Sequence, residues 1–161
     1  MCSSDLEAFS DLATVRWRRL LALARSIVAD LEAEDVVQDG LVKAWNKLRS
    51  LRDPEAFNAW LTRIVANTAI ARARRRRWAD PIDGVAVAAV DDAIDVQIDV
   101  GRLLAKLAPK QRAVLHLTTI EGFTDREIAG ILGITSSSVR VHRLRARRRL
   151  AVLAGGGASD E

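Results

Sequence analysis

The sequence predicts an all-α protein of two small helical domains joined by a flexible acidic linker. Apolar residues recur at helical spacing through most of the chain. The composition is rich in Ala, Leu, Val and Arg, contains no Tyr and has only 4% aromatic residues, which favours helices over sheets. In the middle of the chain a stretch with Pro, Gly and six Asp interrupts this periodicity and marks a domain boundary. A length of 161 residues suits two such domains, and 49% hydrophobic residues are enough for their cores.

Three helices are predicted for the first domain, residues 1–78. The first covers residues 6–28 and the second covers 33–50, each with apolar side chains at helical period. Acidic residues gather on the first turns of the second helix, where negative charge suits the helix dipole. The apolar face of this helix is wider than one internal contact requires, so we expect part of it to meet a partner.

The third helix, over about 54–77, begins at Asp53-Pro54, because Pro is favoured at the first helical position. It ends in a basic run with five arginines within residues 72–77. Cations near a helix C-terminus interact well with the dipole, but five arginines exceed that need. We therefore interpret the run as a phosphate-contacting surface, the alternative being a solvated basic helix end.

The segment 79–98 is predicted to be the acidic linker, with little fixed structure. The second domain then covers residues 99–153 and starts with a short helix over 99–107. Pro109 opens the next helix, which runs to residue 120. The tail, residues 154–161, is rich in Gly and is predicted to be disordered.

A helix-turn-helix is predicted over Thr124–Leu150. An apolar stripe at helical spacing marks its short first helix, and Gly133 follows, a residue that adopts the positive φ of a sharp reversal. Thr135 is a good N-cap for the second helix. That helix carries six arginines, which suits a helix lying against DNA phosphates. A solvated basic helix in an ordinary helical hairpin is the alternative interpretation.

Charge is distributed unevenly around the modest net value of +4. Residues 63–77 hold six basic and no acidic side chains, and residues 102–149 hold eleven basic and three acidic ones. Between these blocks, residues 78–101 contain six Asp and no basic residue. Two basic blocks on either side of an acidic segment favour a nucleic-acid-binding protein with two contact surfaces.

Several other classes of protein are disfavoured. Cys2 is the only cysteine, which excludes an internal disulfide and a Cys-based metal site. We expect no secretory signal and no membrane span, because no basic stretch precedes an apolar run and no 18-residue apolar stretch occurs. His116, on an apolar helix, is interpreted as a packing residue, and His142, among arginines, as a phosphate contact. Neither has a nucleophile or carboxylate arranged beside it, so we expect no enzymatic activity, metal, cofactor or small-molecule substrate.

Three segments together carry a resemblance to a known family. They are AEDVVQDGLVKAW (Ala33–Trp45), FNAWLTRIVANTAIARARRRR (Phe57–Arg77) and LLAKLAPKQRAVLHLTTIEGFTDREIAGILGITSSSVRVHRLRARRRL (Leu103–Leu150). In this order, with the acidic linker before the third, they resemble the extracytoplasmic-function (ECF, group 4) sigma factors of RNA polymerase. The first is similar to the family's core-binding helix, the second to its promoter-opening segment and the third to its second domain. The resemblance implies a sigma region 2-like bundle of three to four helices, followed by a sigma region 4-like four-helix domain.

The resemblance also implies a function and its residues. The chain would bind core RNA polymerase (β and β′ subunits) and direct promoter-specific initiation by recognising −10 and −35 elements. The implied core-binding residues are Asp35, Gln38, Asp39, Leu41 and Val42. The implied −10 contacts are Trp60, Arg63, Asn67, Arg72, Arg74, Arg75 and Arg76. The implied −35 contacts are Thr135, Ser136, Ser137, Ser138, Arg140, Arg143 and Arg147. An anti-sigma factor is a further implied partner, and the implied location is the cytoplasm, at the nucleoid when the chain is bound to polymerase.

Three features depart from the usual pattern of this family. Ala66 stands where Arg is usual before Asn67, and Ala71 stands where Asp is common. Arg143-Leu144 inverts the usual order of Leu followed by a polar residue. If Arg143 lies on the inner side of its helix with Val139, Ala146 and Leu150, its charged end must extend outward.

A helix-turn-helix regulator that acts without core polymerase is the alternative function. Such a regulator would carry an N-terminal sensing domain, as a response regulator does. The first 78 residues show none of the alternation of strands and helices that a response-regulator domain requires.

Overall fold

The computed structural model describes residues 3–79 and 102–155, and within these ranges the chain is helical throughout its regular structure. Six α-helices of eight or more residues lie within the described ranges: α1 (Ser3–Ile27), α2 (Asp30–Lys47), α3 (Phe57–Ala79), α4 (Pro109–Thr119), α5 (Asp125–Leu132) and α6 (Ser136–Gly155). Two short 3₁₀ helices, Leu48–Ser50 and Pro54–Ala56, precede α3, and one helical turn covers residues 102–105. This architecture confirms the predicted all-α fold.

Helix boundaries differ from the predicted ones by a few residues. α2 begins at Asp30 rather than 33, because the extended backbone of Ala29 ends the break after α1 and acidic residues occupy the first turn. Pro54 opens a 3₁₀ turn capped by Asp53, whose Oδ1 accepts a hydrogen bond from the Glu55 amide at 3.0 Å. The α-helical part of the third helix therefore begins only at Phe57. α6 continues to Gly155, so the first two residues of the predicted tail are helical.

Most of the predicted linker lies outside the described residues. Of residues 79–98, only Ala79 is described, as the last residue of α3. The start of the predicted 99–107 helix is likewise outside them, and its described part is the turn at 102–105.

The first three helices enclose an apolar core. Leu23, Ile27, Val36 and Leu61 are among its fully buried side chains. At the end of the core near the start of α1, four aromatic rings lie in contact. Ring centroids are 5.5 Å apart for Phe9 and Trp45, 6.2 Å for Phe9 and Phe57, and 5.9 Å for Phe57 and Trp60.

α2 and α3 approach each other closely at Gly40. A Cβ atom at this position would lie only 2.8 Å from Cγ2 of Val65 and 3.3 Å from its Cα. The absence of a side chain at Gly40 therefore sets the separation of the two helices.

α4, α5 and α6 form the second domain, around fully buried Val114, Leu117, Ile128 and Val139. This domain packs on the first one, with α5 against α3 and α4 against α1. The buried apolar residues of both domains consequently join in a single hydrophobic cluster. Within residues 3–79 and 102–155, no helix combines the length and hydropathy needed to cross a membrane.

Candidate nucleic-acid interface

The entry into the helix-turn-helix is a capping box at Thr124. Thr124 Oγ1 accepts a hydrogen bond from the Glu127 amide at 3.3 Å, and the Thr124 amide donates to Glu127 Oε2 at 2.8 Å. The bond from the Thr124 amide, together with one that Thr124 Oγ1 donates to Glu127 Oε2 at 3.0 Å, lowers the pKa of the Glu127 carboxyl, the backbone bond contributing most. The pattern T-x-x-E before an apolar run is the sequence signal for this motif. Thr124 was not predicted as a helix cap.

The corner between the two helices has the predicted geometry. Gly133 ends α5 with φ 65° and ψ 38°, in the left-handed region that favours glycine. The Ile134 amide donates to the Ala129 carbonyl at 3.1 Å, which closes the turn. Thr135 then caps α6, because its Oγ1 accepts from the Ser138 amide at 3.1 Å. The predicted reversal at Gly133 and the predicted cap at Thr135 are confirmed, and the −35 contact of Thr135 stays a prediction.

Most of the predicted −35 contacts lie on the accessible surface of this corner. Thr135, Ser137, Arg140 and Arg147 are exposed, whereas Ser136 and Ser138 are half-buried. Arg140 reaches back along α6, where its Nη2 lies 3.4 Å from Ser137 Oγ. The outer side of α6 thus presents hydroxyl and guanidinium groups side by side.

Arg143 takes a different position, between the two helices of the motif. Its guanidinium binds the Asp125 carboxylate through two bonds, Nη1 to Oδ1 and Nη2 to Oδ2, the second at 3.2 Å. Only 23% and 26% of the two side chains are exposed. The hydrogen bond lowers the pKa of Asp125 and raises the pKa of Arg143. Asp125 was not recognised from the sequence. Arg143 lies on the inner side of the helix, but its charged end binds Asp125 instead of extending into solvent. Its contact with DNA stays a prediction.

The predicted −10 contacts are divided between exposed and anchored side chains. Arg63, Asn67, Arg74 and Arg75 are exposed on α3, and Trp60 is half-buried against Phe57. Two further arginines are held by α2: Arg72 Nη2 lies 2.9 Å from Asp39 Oδ2, and Arg76 Nη1 lies 2.8 Å from Glu32 Oε2.

The ion pair of Asp39 with Arg72 joins two predicted sites. Asp39 belongs to the predicted core-binding set and Arg72 to the predicted −10 set. A hydrogen bond joins the two domains, because Asn67 Nδ2 donates to the Ile131 carbonyl of α5 at 3.2 Å. In this arrangement the amide of Asn67 is therefore engaged by the helix-turn-helix.

The predicted core-binding residues lie along α2, beside an apolar groove. Asp35, Gln38 and Val42 are exposed, and Leu41 is half-buried. The groove, with a volume of about 860 Å³, lies between α1 and α2. Its lining includes Leu6, Phe9, Trp17, Leu41, Val42 and Trp45. Polar groups on the exposed turns of α2 thus border a continuous apolar surface.

The surroundings of the two histidines differ from the prediction in one respect, because the carboxylate of Glu121 lies near His116. His116 is buried, as expected for a packing residue, and burial lowers its pKa. Its Nε2 lies 3.9 Å from Glu121 Oε1, which is too long for a hydrogen bond, and Arg19 Nη1 lies 3.9 Å from the other oxygen. His142 is half-buried, and burial followed by the charges of Lys110 and Arg145 lowers its pKa.

Comparison with known proteins identifies both domains. The family model for Sigma-70 region 2 matches residues 16–79, and the model for Sigma-70, region 4 matches residues 97–150. The chain is 33% identical to ECF RNA polymerase sigma factor SigM of Mycobacterium tuberculosis, over 95% of this chain and 80% of SigM. It is 31% identical to RNA polymerase sigma-E factor of Streptomyces avermitilis, over 92% of this chain and 87% of that protein.

Two solved structures share this fold. The sigma factor RpoE in complex with the anti-sigma factor NepR from Bartonella quintana superposes with a TM-score of 0.76 at 30% identity, covering 92% of this chain and 98% of RpoE. CnrH in complex with the cytosolic domain of CnrY superposes with a TM-score of 0.70 at 30% identity, covering 94% of this chain and 90% of CnrH.

Proposed function

The chain belongs to the extracytoplasmic-function RNA polymerase sigma factors, with sigma-70 regions 2 and 4, and on this premise we propose how its surfaces act in transcription initiation. Members of this family direct initiation by RNA polymerase and are not enzymes. The proposed division has a core-binding and −10-reading domain over 1–78, a linker over 79–98, a −35-reading domain over 99–153 and a tail over 154–161. The core-binding, −10 and −35 surfaces are proposals for this chain.

The α2 surface is proposed to bind core polymerase. Exposed Asp35 and Gln38 supply polar groups that set the register of docking. The neighbouring groove, with Leu41 and Val42 in its wall, supplies apolar area. Asp39, whose side chain is 53% exposed, is proposed to face core polymerase as well, and its ion pair with Arg72 links α2 to α3.

The exposed side of α3 is proposed to bind the opened −10 element. Opened DNA requires cations along its backbone and polar side chains for unstacked base edges. Arg63, Arg74 and Arg75 supply exposed cations, and Asn67 supplies an amide with donor and acceptor atoms. Because the Asn67 amide bonds to Ile131 in the packed arrangement, base reading requires that this contact be exchanged for DNA.

The second domain is proposed to place α6 in the major groove of the −35 element. The observation that carries this proposal is the closed corner at Gly133, followed by the Thr135 cap, which directs Ser137 and Arg140 outward. A recognition helix contacts bases with its N-terminal residues, among which Ser137 and Arg140 are exposed here. Arginines further along α6 lie where they can neutralise phosphates.

Reconstitution with core RNA polymerase tests the proposal. The purified chain is expected to bind core and to initiate from promoters identified by sequencing transcript 5′ ends after overexpression. Absence of core binding would refute the assignment of the α2 surface. Sequence-specific duplex binding without core binding would instead favour a free-standing helix-turn-helix regulator.

Matched substitutions separate the three surfaces. Asp35→Ala should weaken core binding, whereas Asp11→Ala, at an exposed aspartate of α1, should leave it unchanged. Arg140→Ala should change the preferred −35 sequence. Arg149→Ala removes the same charge from an exposed position of α6 and should weaken binding to all sequences alike. An unchanged preference in Arg140→Ala would mean that this residue contacts only the backbone.

An anti-sigma factor is proposed as a further partner, with action in the cytoplasm. Support comes from RpoE of Bartonella quintana, whose structure was solved in complex with the anti-sigma factor NepR. Co-purification of the tagged chain from its host at native expression level tests this proposal. Recovery of core polymerase subunits alone, under non-inducing conditions, would argue against such a partner.

A further inference from the structure

The outer face of α6 carries two large apolar side chains. Val139 and Ala146 are fully buried and define the inner side of the helix. Val141 and Leu144 lie on the opposite side, 43% and 49% exposed. At 3.6 residues per turn, these two share one row with Ser137, at spacings of four and seven residues.

This row begins at the N-terminal end of the helix, where a recognition helix meets base edges. Arg140 and Arg145 are exposed on either side of it, so the apolar pair stands between two cations. Single exposed apolar side chains are ordinary on protein surfaces. Val141 and Leu144, however, share a row with Ser137 between two arginines, so they face the same ligand as these polar side chains. The charge of this face matches DNA and disfavours a basic or apolar protein surface as its occupant.

The major groove offers one apolar group, the C5-methyl of thymine. Cytosine, adenine and guanine present only donors and acceptors there, which apolar side chains cannot satisfy. Val and Leu side chains in the groove therefore favour thymine, because apolar surface is buried against its methyl group. They disfavour the other bases, because the polar edges of those bases lose water without gaining a partner.

We propose that Val141 and Leu144 are specificity-determining residues that read thymine methyl groups in the −35 element. This inference rests on the proposed function of α6 as the −35-reading helix. The two residues are separated by three positions, a rise of about 4.5 Å along the helix, which is close to the 3.4 Å spacing of base pairs. The two thymines accordingly lie one or two base pairs apart.

Replacement of thymine by deoxyuridine tests the proposal, because it removes only the methyl group. Holoenzyme formed from core polymerase and the full chain first selects duplexes with a randomised upstream segment, which defines the −35 element. Single thymines of the selected duplex are then replaced, and holoenzyme affinity is measured by fluorescence anisotropy. Replacement at each of two positions should weaken holoenzyme binding about fourfold, the effect expected for one buried methyl group. Replacement of the other thymines should leave the affinity unchanged.

Variants of the protein establish which side chains contact the methyl groups. Both outer positions tolerate Ala, since they are exposed and Ala favours helices. The V141A/L144A variant should bind the unmodified duplex about fifteenfold more weakly, because it loses both methyl contacts, and should no longer distinguish thymine from deoxyuridine. Val152→Ala is the matched control, because it makes the same substitution at a 73% exposed valine of the same helix. This control should retain the full deoxyuridine effect.

Three results would overturn the inference in distinguishable ways. Equal affinity of the wild type for thymine and deoxyuridine duplexes would exclude methyl reading. A deoxyuridine effect that persists in V141A/L144A would assign it to groove shape rather than to these side chains. Failure of the holoenzyme to select any upstream element would overturn the proposed −35 function together with this inference.

Discussion

Replacing Gly40 with Ala tests how closely α2 and α3 must approach. The added Cβ would lie 2.8 Å from Cγ2 of Val65 and 3.3 Å from its Cα, so the helices must move apart. Overpacking of this kind costs about 1–3 kcal/mol. Replacing Gly by Ala inside a helix, in the absence of a clash, raises the free energy of unfolding by about 0.8–1 kcal/mol. We expect a net loss of about 0–2 kcal/mol in the free energy of unfolding, the difference between these two effects.

Gly130→Ala is the matched control for this prediction. Gly130 lies inside α5, and a Cβ there would meet nothing within 4 Å. This variant should therefore gain about 0.8–1 kcal/mol, the helix-propensity effect alone. The difference between the two variants, about 1–3 kcal/mol, measures the clash with Val65. In a double-mutant cycle, Gly40→Ala combined with Val65→Ala should lose less stability than the sum of the two single changes.

Urea unfolding provides the assay. Trp17, Trp45, Trp60 and Trp78 are the only tryptophans, so fluorescence follows the first domain, whereas far-UV circular dichroism follows the helices of both domains.

The same Gly40→Ala variant should also reduce promoter opening, because α2 and α3 carry the candidate polymerase and −10 contacts. A Gly40→Ala protein stabilised as much as Gly130→Ala would contradict the inference that this glycine sets the helix separation.

Three further predictions concern the second domain. Thr124→Ala removes half of the capping box and should lower the free energy of unfolding by about 1 kcal/mol, measured by far-UV circular dichroism in urea; an unchanged midpoint would contradict the cap assignment. Asp125→Asn should destabilise the protein at neutral pH. Because the pKa of Asp125 is lowered, its carboxylate stabilises the folded protein at pH values above 3.8, the ordinary pKa of this group. The difference in the free energy of unfolding between wild type and this variant should disappear as the pH falls below 3.8. Arg143→Gln should behave in the same way. A difference that does not change with pH would be inconsistent with the ion pair. His116 has a lowered pKa, so the folded protein binds this proton less tightly than the unfolded chain, and stability should fall as the pH drops below 6.5. His116→Gln should flatten that slope in urea titrations, whereas equal slopes would show that His116 does not control it.

Much of the fold was predictable because its signals act over short distances. Helical period, the cap at Thr135 and the positive φ of Gly133 each depend on a few neighbouring residues. The family resemblance rested on the same local patterns and was confirmed by the matches to sigma-70 regions 2 and 4. Boundaries were less predictable, because Pro54 and Asp53 also stabilise a 3₁₀ turn that delays the α-helix to Phe57.

The sequence by itself determined which segments are helical, where the helix-turn-helix reverses and which family the chain belongs to. Only the tertiary structure decided how charged side chains are paired. Asp125 binds Arg143 across 18 residues, Arg72 binds Asp39 across 33, and Asn67 reaches Ile131 across 64. Such pairs depend on the rotation and separation of whole helices, which result from the packing of many side chains at once. A pattern within one helix shows that Arg143 lies inward, but the position of its partner depends on how α5 packs against α6.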